Sequence, residues 1–160
     1  WFELPVIEEG VNQLPESFTG GTHLSKVETE TKKVSTKHIL YIEDNQANIK
    51  LMQAFFARDA HLALQVVLSA EEGLDLIKTD SPDLILMDIN LPGMSGDEAA
   101  ALLKKDEAYQ AIPIIALSAV AMKHDIEKFE GLFDAYITKP VDFTVLMDEV
   151  ERQLGEHYGK

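Results

Sequence analysis

At 160 residues the chain is long enough for one ordinary domain with some extra length, and too short for two full ones. Its composition, 46% apolar and 26% charged, is that of a soluble globular protein, while a net charge of −14 argues against binding nucleic acid. Cysteine is absent, which excludes disulfides and thiolate metal sites, and no apolar run nears the roughly 20 residues of a membrane span.

In chain order, residues 1–7 of "WFELPVIEEG" read as a strand with no partner. Residues 8–37, with "TGGTH" and "VETETKKVSTK", show no sustained period and read as a flexible polar linker. From residue 38 to residue 160 the texture is regular. Strand-like runs appear at "HILYI", "LALQVV", "DLILM", "IPIIAL" and "AYIT", and helical patterns start near Asn45, Ser69, Gly96, Ala119 and Asp142. Ser69 followed by Glu72 predicts a capping box. The alternation implies a doubly wound α/β domain with a five-stranded parallel sheet covered on both faces.

Ligands of such sheets bind beyond the carboxyl ends of the strands. The first strand runs into Glu43 and Asp44, the third into Asp88, the fourth into Ser118 and the fifth into Lys139-Pro140; Ser69, after the second, reads as a helix cap only. The four apolar residues before Asp88 are those of a central parallel strand, a rigid post beneath that carboxylate. Gathered carboxylates repel and raise one another's pKa unless a cation joins them, and an oxygen-only donor set points to Mg²⁺. A carboxylate can also attack phosphorus, with Mg²⁺, a lysine and a hydroxyl stabilising the charge on the transferring phosphoryl. Singly, each residue has a plainer reading: Asp44 as a helix cap, Lys139 as a surface amine, Tyr136 as core packing. Their joint placement at successive strand ends carries the argument. The histidines are scattered and read as surface residues, the methionines as core or loop filler.

Taken together and in order, "YIEDN", "LILMDINLPGMSG", "IIALSA" and "AYITKP" resemble the response regulator receiver domain of two-component signalling, over residues 38–160. The resemblance implies a flavodoxin-like topology with strand order 2-1-3-4-5. It implies that Asp88 is the phosphoacceptor and that Mg²⁺, for which Mn²⁺ can substitute, is held by Glu43, Asp44, Asp88 and the backbone carbonyl of Asn90. Ser118 resembles the hydroxyl that contacts a phosphoryl oxygen, Lys139 the lysine of the site, and Tyr136 the switch aromatic; Lys139-Pro140 would be a cis peptide. On the first helix Ile49, Met52 and Phe56 form one apolar stripe and Leu51 and Phe55 a second, whereas a surface helix needs one. The second stripe, with Asn48, is expected to dock a phosphotransfer helix.

The opening segment resembles the last strand of a histidine-kinase ATP-binding domain, so that residues 1–7 would be its remnant. The order of segments is then that of a hybrid histidine kinase, whose parent chain can be membrane-attached. This chain itself is expected to be a cytoplasmic, self-catalysing phosphoacceptor that makes no membrane contact. With no output domain after Lys160, its partners would be the kinase core or a histidine phosphotransfer protein. Three alternatives are a stand-alone response regulator, a Mg²⁺-dependent phosphatase with an aspartyl nucleophile, and a pseudo-receiver acting purely as a binding module, against which the intact site argues. Haloacid dehalogenase-like phosphatases carry a second Asp two residues after the first, where this chain has Asn90.

Overall fold

Strands and helices alternate from Lys37 to Ser118, each helix returning the chain so that the next strand runs parallel to the last. The computed structural model of the chain describes residues 35–119 and 129–155. The opening strand, nearly all of the polar linker and the helix expected near Ala119 lie outside the described residues. The elements are β1 (Lys37–Ile42), α1 (Gln46–Phe56), β2 (Leu62–Val67), α2 (Ala70–Thr79), β3 (Leu84–Asp88), α3 (Gly96–Lys105), β4 (Ile114–Ser118), β5 (Ala135–Thr138) and α4 (Phe143–Leu154). All four strand pairings are parallel and the order is β2-β1-β3-β4-β5.

Alternate strand residues face opposite sides of a sheet, and the two sides here have separate cores. Tyr41, Leu86 and Leu117 join Ile49, Met52 and Phe56 of α1 and Leu146 and Val150 of α4 on one side. Ile42, Met87 and Ala116 join Ile77 of α2 and Ala100 and Leu103 of α3 on the other. The central strand β3 is buried throughout, which explains why its run is apolar at successive positions. Gly73 lets α2 close onto β1: a Cβ there would lie 2.5 Å from Ile42 Cδ1.

Side-chain caps set where the helices begin. Asn45 accepts the backbone N–H groups of Ala47 and Asn48, and Asp142 accepts those of Thr144 and Val145. Ser69 Oγ accepts the Glu72 N–H at 3.2 Å, as expected of a cap. The return bond of that box is shifted by one residue, because the Glu72 carboxylate accepts the N–H of Leu68. Gly155, at φ 67°, ends α4 in the left-handed conformation.

Two carboxylates fasten the amino-terminal edge of the sheet. Asp83 accepts the N–H of His38 at 2.8 Å and returns its own N–H to the His38 carbonyl, joining β1 to the start of β3. Asp134 accepts the N–H of Ile114 at 2.8 Å and an ammonium hydrogen of Lys104, which also donates to the carbonyls of Gln110 and Ile112. That second knot joins β4 to the start of β5. No helix among the described residues is long and apolar enough to cross a membrane.

Candidate active site

The chain leaves β1 for the edge strand β2 and then returns past β1 to β3, so the sheet order reverses between β1 and β3. Doubly wound sheets open a crevice above that reversal. Glu43 and Asp44 emerge from β1 and Asp88 ends β3, on either side of it. Carboxylate oxygens of all three lie within 4.8 Å of one another.

The environments of the three acids differ. Glu43 is 0% exposed and Asp88 4%, whereas Asp44 is exposed and makes no hydrogen bond or ion pair among the described residues. Asn45 rather than Asp44 caps α1, which leaves the Asp44 carboxylate without that task. Lys139, at the end of β5, lays its ammonium 2.7 Å from Asp88 Oδ2 and 2.7 Å from Glu43 Oε2. Glu43 Oε2 further accepts the Tyr41 hydroxyl at 3.0 Å and the Asn48 carboxamide at 3.1 Å, and Oε1 accepts the Asn45 N–H at 3.1 Å. Asp88 Oδ1 accepts the N–H of Asn90 at 3.0 Å.

One ammonium is thus shared by two carboxylates of unequal support. Burial pushes the Glu43 carboxyl up, but the bonds from Lys139, the Asn45 N–H and Tyr41 outweigh it and hold its pKa below the ordinary value. Burial also pushes Asp88 up; Lys139 and the Asn90 N–H oppose this, the charge of Glu43 adds to it, and the pKa stays above the ordinary value. Burial alone would lower the Lys139 pKa, yet its bonds to Asp88 and Glu43 raise it, so the ammonium stays charged. Burial, followed by the nearby Glu43 charge, pushes the Tyr41 phenol far up, and it remains a donor.

Ser118 ends β4 one residue beyond Leu117, the register partner of Asp88. Its carbonyl accepts the Lys139 N–H at 2.8 Å, which ties the end of β5 to β4. The Lys139-Pro140 bond is cis. Tyr136 is half-buried; its ring meets Phe133 edge-on and its hydroxyl donates to the Phe129 carbonyl at 2.9 Å. A shallow basin of about 560 Å³ beside the acids is lined by Asp44, Asn90, Pro92, Ser95, Asp97 and Phe129, among others.

The donor set fits a hard divalent cation: it is all oxygen, and Asp44 and Asp88 have acceptor capacity left. Glu43 is already occupied by four donors and backs the site rather than opening onto it. On α1, Ile49, Met52 and Phe56 are buried and Leu51 is 57% exposed. Phe55, in the second stripe with Leu51, stacks on Phe143 of α4 with ring centroids 4.3 Å apart. Asn48, expected at the docking face, turns its carboxamide to Glu43.

Sequence reasoning missed Tyr41 and this role of Asn48. The first had a signal: residues two apart on a strand share a face, which puts Tyr41 directly below Glu43.

The family model for the response regulator receiver domain matches residues 39–151. The polar-differentiation response regulator DivK of Brucella ovis is 39% identical over 122 residues, which cover 76% of this chain and 98% of DivK. The receiver domain of sensor histidine kinase PA1611 from Pseudomonas aeruginosa PAO1, solved with a magnesium ion coordinated in its active-site cleft, has a TM-score of 0.69 at 27% identity. The match covers 76% of this chain and 100% of that one. The phosphorylated cyanobacterial phytochrome response regulator RcpA has a TM-score of 0.69 at 28% identity, over 79% of this chain and 100% of its own.

Proposed function

The chain belongs to the response regulator receiver family of two-component signalling, and from that premise we propose that Asp88 accepts a phosphoryl group from a phosphohistidine. The group then passes to a histidine phosphotransfer protein or back to a kinase. The observation that carries this reading is the ammonium of Lys139, 2.7 Å from a buried carboxylate at the edge where two further acids converge.

An Asp88 oxygen attacks phosphorus, the P–N bond to the donor imidazole breaks, and the imidazole leaves with the electron pair and takes up a proton. The carboxylate has no proton to lose, so no base is needed on this chain. β3 fixes the nucleophile, and the Asn90 N–H orients its second oxygen. Lys139 offsets charge on the phosphoryl oxygens, and the Ser118 hydroxyl, on the neighbouring strand, supplies a further donor. Mg²⁺, or Mn²⁺ in its place, held by Asp44, Asp88 and the Asn90 carbonyl with Glu43 behind, would neutralise the remaining negative charge when bound. The magnesium ion in the PA1611 receiver supports that assignment, and phosphorylated RcpA supports the acceptor role.

Residues 1–7 are the end of a kinase ATP-binding domain in this reading, and the chain is the cytoplasmic receiver portion of a hybrid histidine kinase. The PA1611 receiver, itself part of a sensor histidine kinase, supports it.

With acetyl phosphate and Mg²⁺ the purified chain should gain one phosphoryl mass that hydroxylamine removes. Asp88→Asn should abolish the gain. Undiminished labelling of that variant rejects the assignment.

A further inference from the structure

Glu43 has no exposed surface, yet it carries a charge at the reactive edge. A buried carboxylate is tolerable only when it is paired and hydrogen-bonded. Lys139 alone cannot meet that need, because the same ammonium serves Asp88 at an equal 2.7 Å. The shortfall is met on Oε1 by the Asn45 N–H at 3.1 Å and on Oε2 from two different elements. Tyr41 sends its hydroxyl up from the apolar cluster beneath β1, where its ring is 1% exposed, and Asn48 reaches across from the first turn of α1. For packing alone, phenylalanine would fill the Tyr41 position as well. The hydroxyl adds only its bond to Glu43.

A carboxylate held from a strand and a helix at once cannot rotate freely. The lysine stem, by contrast, is four flexible carbons ending in a compact charge, and the carboxylates at its tip decide where that charge rests. When a phosphoryl group arrives on Asp88, its oxygens compete with Glu43 for the ammonium. Glu43 then depends on its other donors to avoid becoming an unpaired buried charge.

We propose that Tyr41 and Asn48 are positioning residues that act through Glu43 on Lys139. They hold the Glu43 carboxylate where it keeps the ammonium against Asp88, and they keep Glu43 hydrogen-bonded when the ammonium turns to the phosphoryl oxygens. The rate of phosphorylation then depends on a hydroxyl and a carboxamide that touch neither phosphodonor nor metal. This rests on Asp88 being the acceptor.

The test uses the full chain with acetyl phosphate, a donor that docks on no helix face, and mass spectrometry for the rate. Tyr41→Phe should slow labelling at saturating donor roughly tenfold, the scale of one bond to a charged group. Half-saturating donor and Mg²⁺ affinity by calorimetry should stay within about twofold, because the hydroxyl contacts neither. Asn48→Ala, at a half-buried helical position that tolerates truncation, should show the same split and guards against a folding defect in the first variant. In a Lys139→Ala background, followed over longer times, Tyr41→Phe should add less than about twofold, since its route of action is gone. Parental rates in both single variants overturn the proposal. So does a loss that appears in half-saturation or Mg²⁺ affinity, or one that is equally large without Lys139. If the parent chain itself takes no label on Asp88, it is the acceptor assignment that fails, and the proposal with it.

Discussion

Adjacent in the chain, Glu43 and Asp44 could hardly differ more in circumstance. The first is enclosed and saturated with donors; the second is exposed, and the cap that it resembled is made by Asn45. Cation binding should therefore depend on Asp44. Mg²⁺ at about 100 times its dissociation constant should stabilise the parent by about 2.7 kcal/mol through mass action. Asp44→Ala should melt independently of Mg²⁺ in a calorimetric scan, and an undiminished response would place the site elsewhere. Gly96 is constrained in another way. A Cβ there would sit 2.2 Å from the Asp88 carbonyl oxygen and 2.9 Å from Ile89 Cα, both backbone atoms that cannot swing aside. Gly96→Ala should cost about 2 kcal/mol or more in urea unfolding and should slow labelling, because α3 could seat only by shifting the strand end that carries the acceptor. A wild-type melt for this variant would show that the backbone gives there at little cost.

At the scale of elements, α1 shows what a periodic pattern can and cannot convey. Its two stripes were legible, and the stripe assigned to the core is the buried one. The pattern could not show that Phe55 stacks on Phe143, because that contact joins α1 to a helix distant in the chain, and only the tertiary fold brings the two together. Nor could it show Asn48 turning toward Glu43. Of the expected docking residues, Leu51 is the one left largely exposed, and the two apolar positions should now separate by experiment. Leu51→Asp should leave stability within about 0.5 kcal/mol and labelling by acetyl phosphate normal, while slowing transfer from a phosphohistidine protein. Phe55→Ala should cost about 1–3 kcal/mol in urea unfolding, through the lost stack and buried ring area. If Leu51→Asp transfers at the parental rate, partners dock elsewhere.

For the molecule as a whole, strand positions and most helix starts could be read from periodicity and caps, because those signals are local. The strand order could not, since adjacency depends on how each helix crosses the sheet; it followed from the resemblance instead. The acids, Ser118 and Lys139 were legible as a group because a doubly wound sheet collects its strand ends on one edge. If phosphorylation draws Ser118 toward Asp88 and Tyr136 turns inward, the Tyr136 hydroxyl must release the Phe129 carbonyl. Beryllofluoride, which mimics an acyl phosphate, should therefore move the NMR signals of Ser118, Tyr136 and Phe129 together by biasing an existing equilibrium. Static signals at these residues would contradict the switch. The opposite edge bears on how far such a change can spread. Asp83 rivets β1 to β3, and Asp134 with Lys104 rivets β4 to β5, all at the amino-terminal side. These four strands resemble cantilevers, each clamped at its root and carrying its site residues at its tip. If phosphorylation at Asp88 shifts the tips and the loops attached to them, the clamped roots would stay still, and the change would spread sideways along the top of the sheet rather than downward through it.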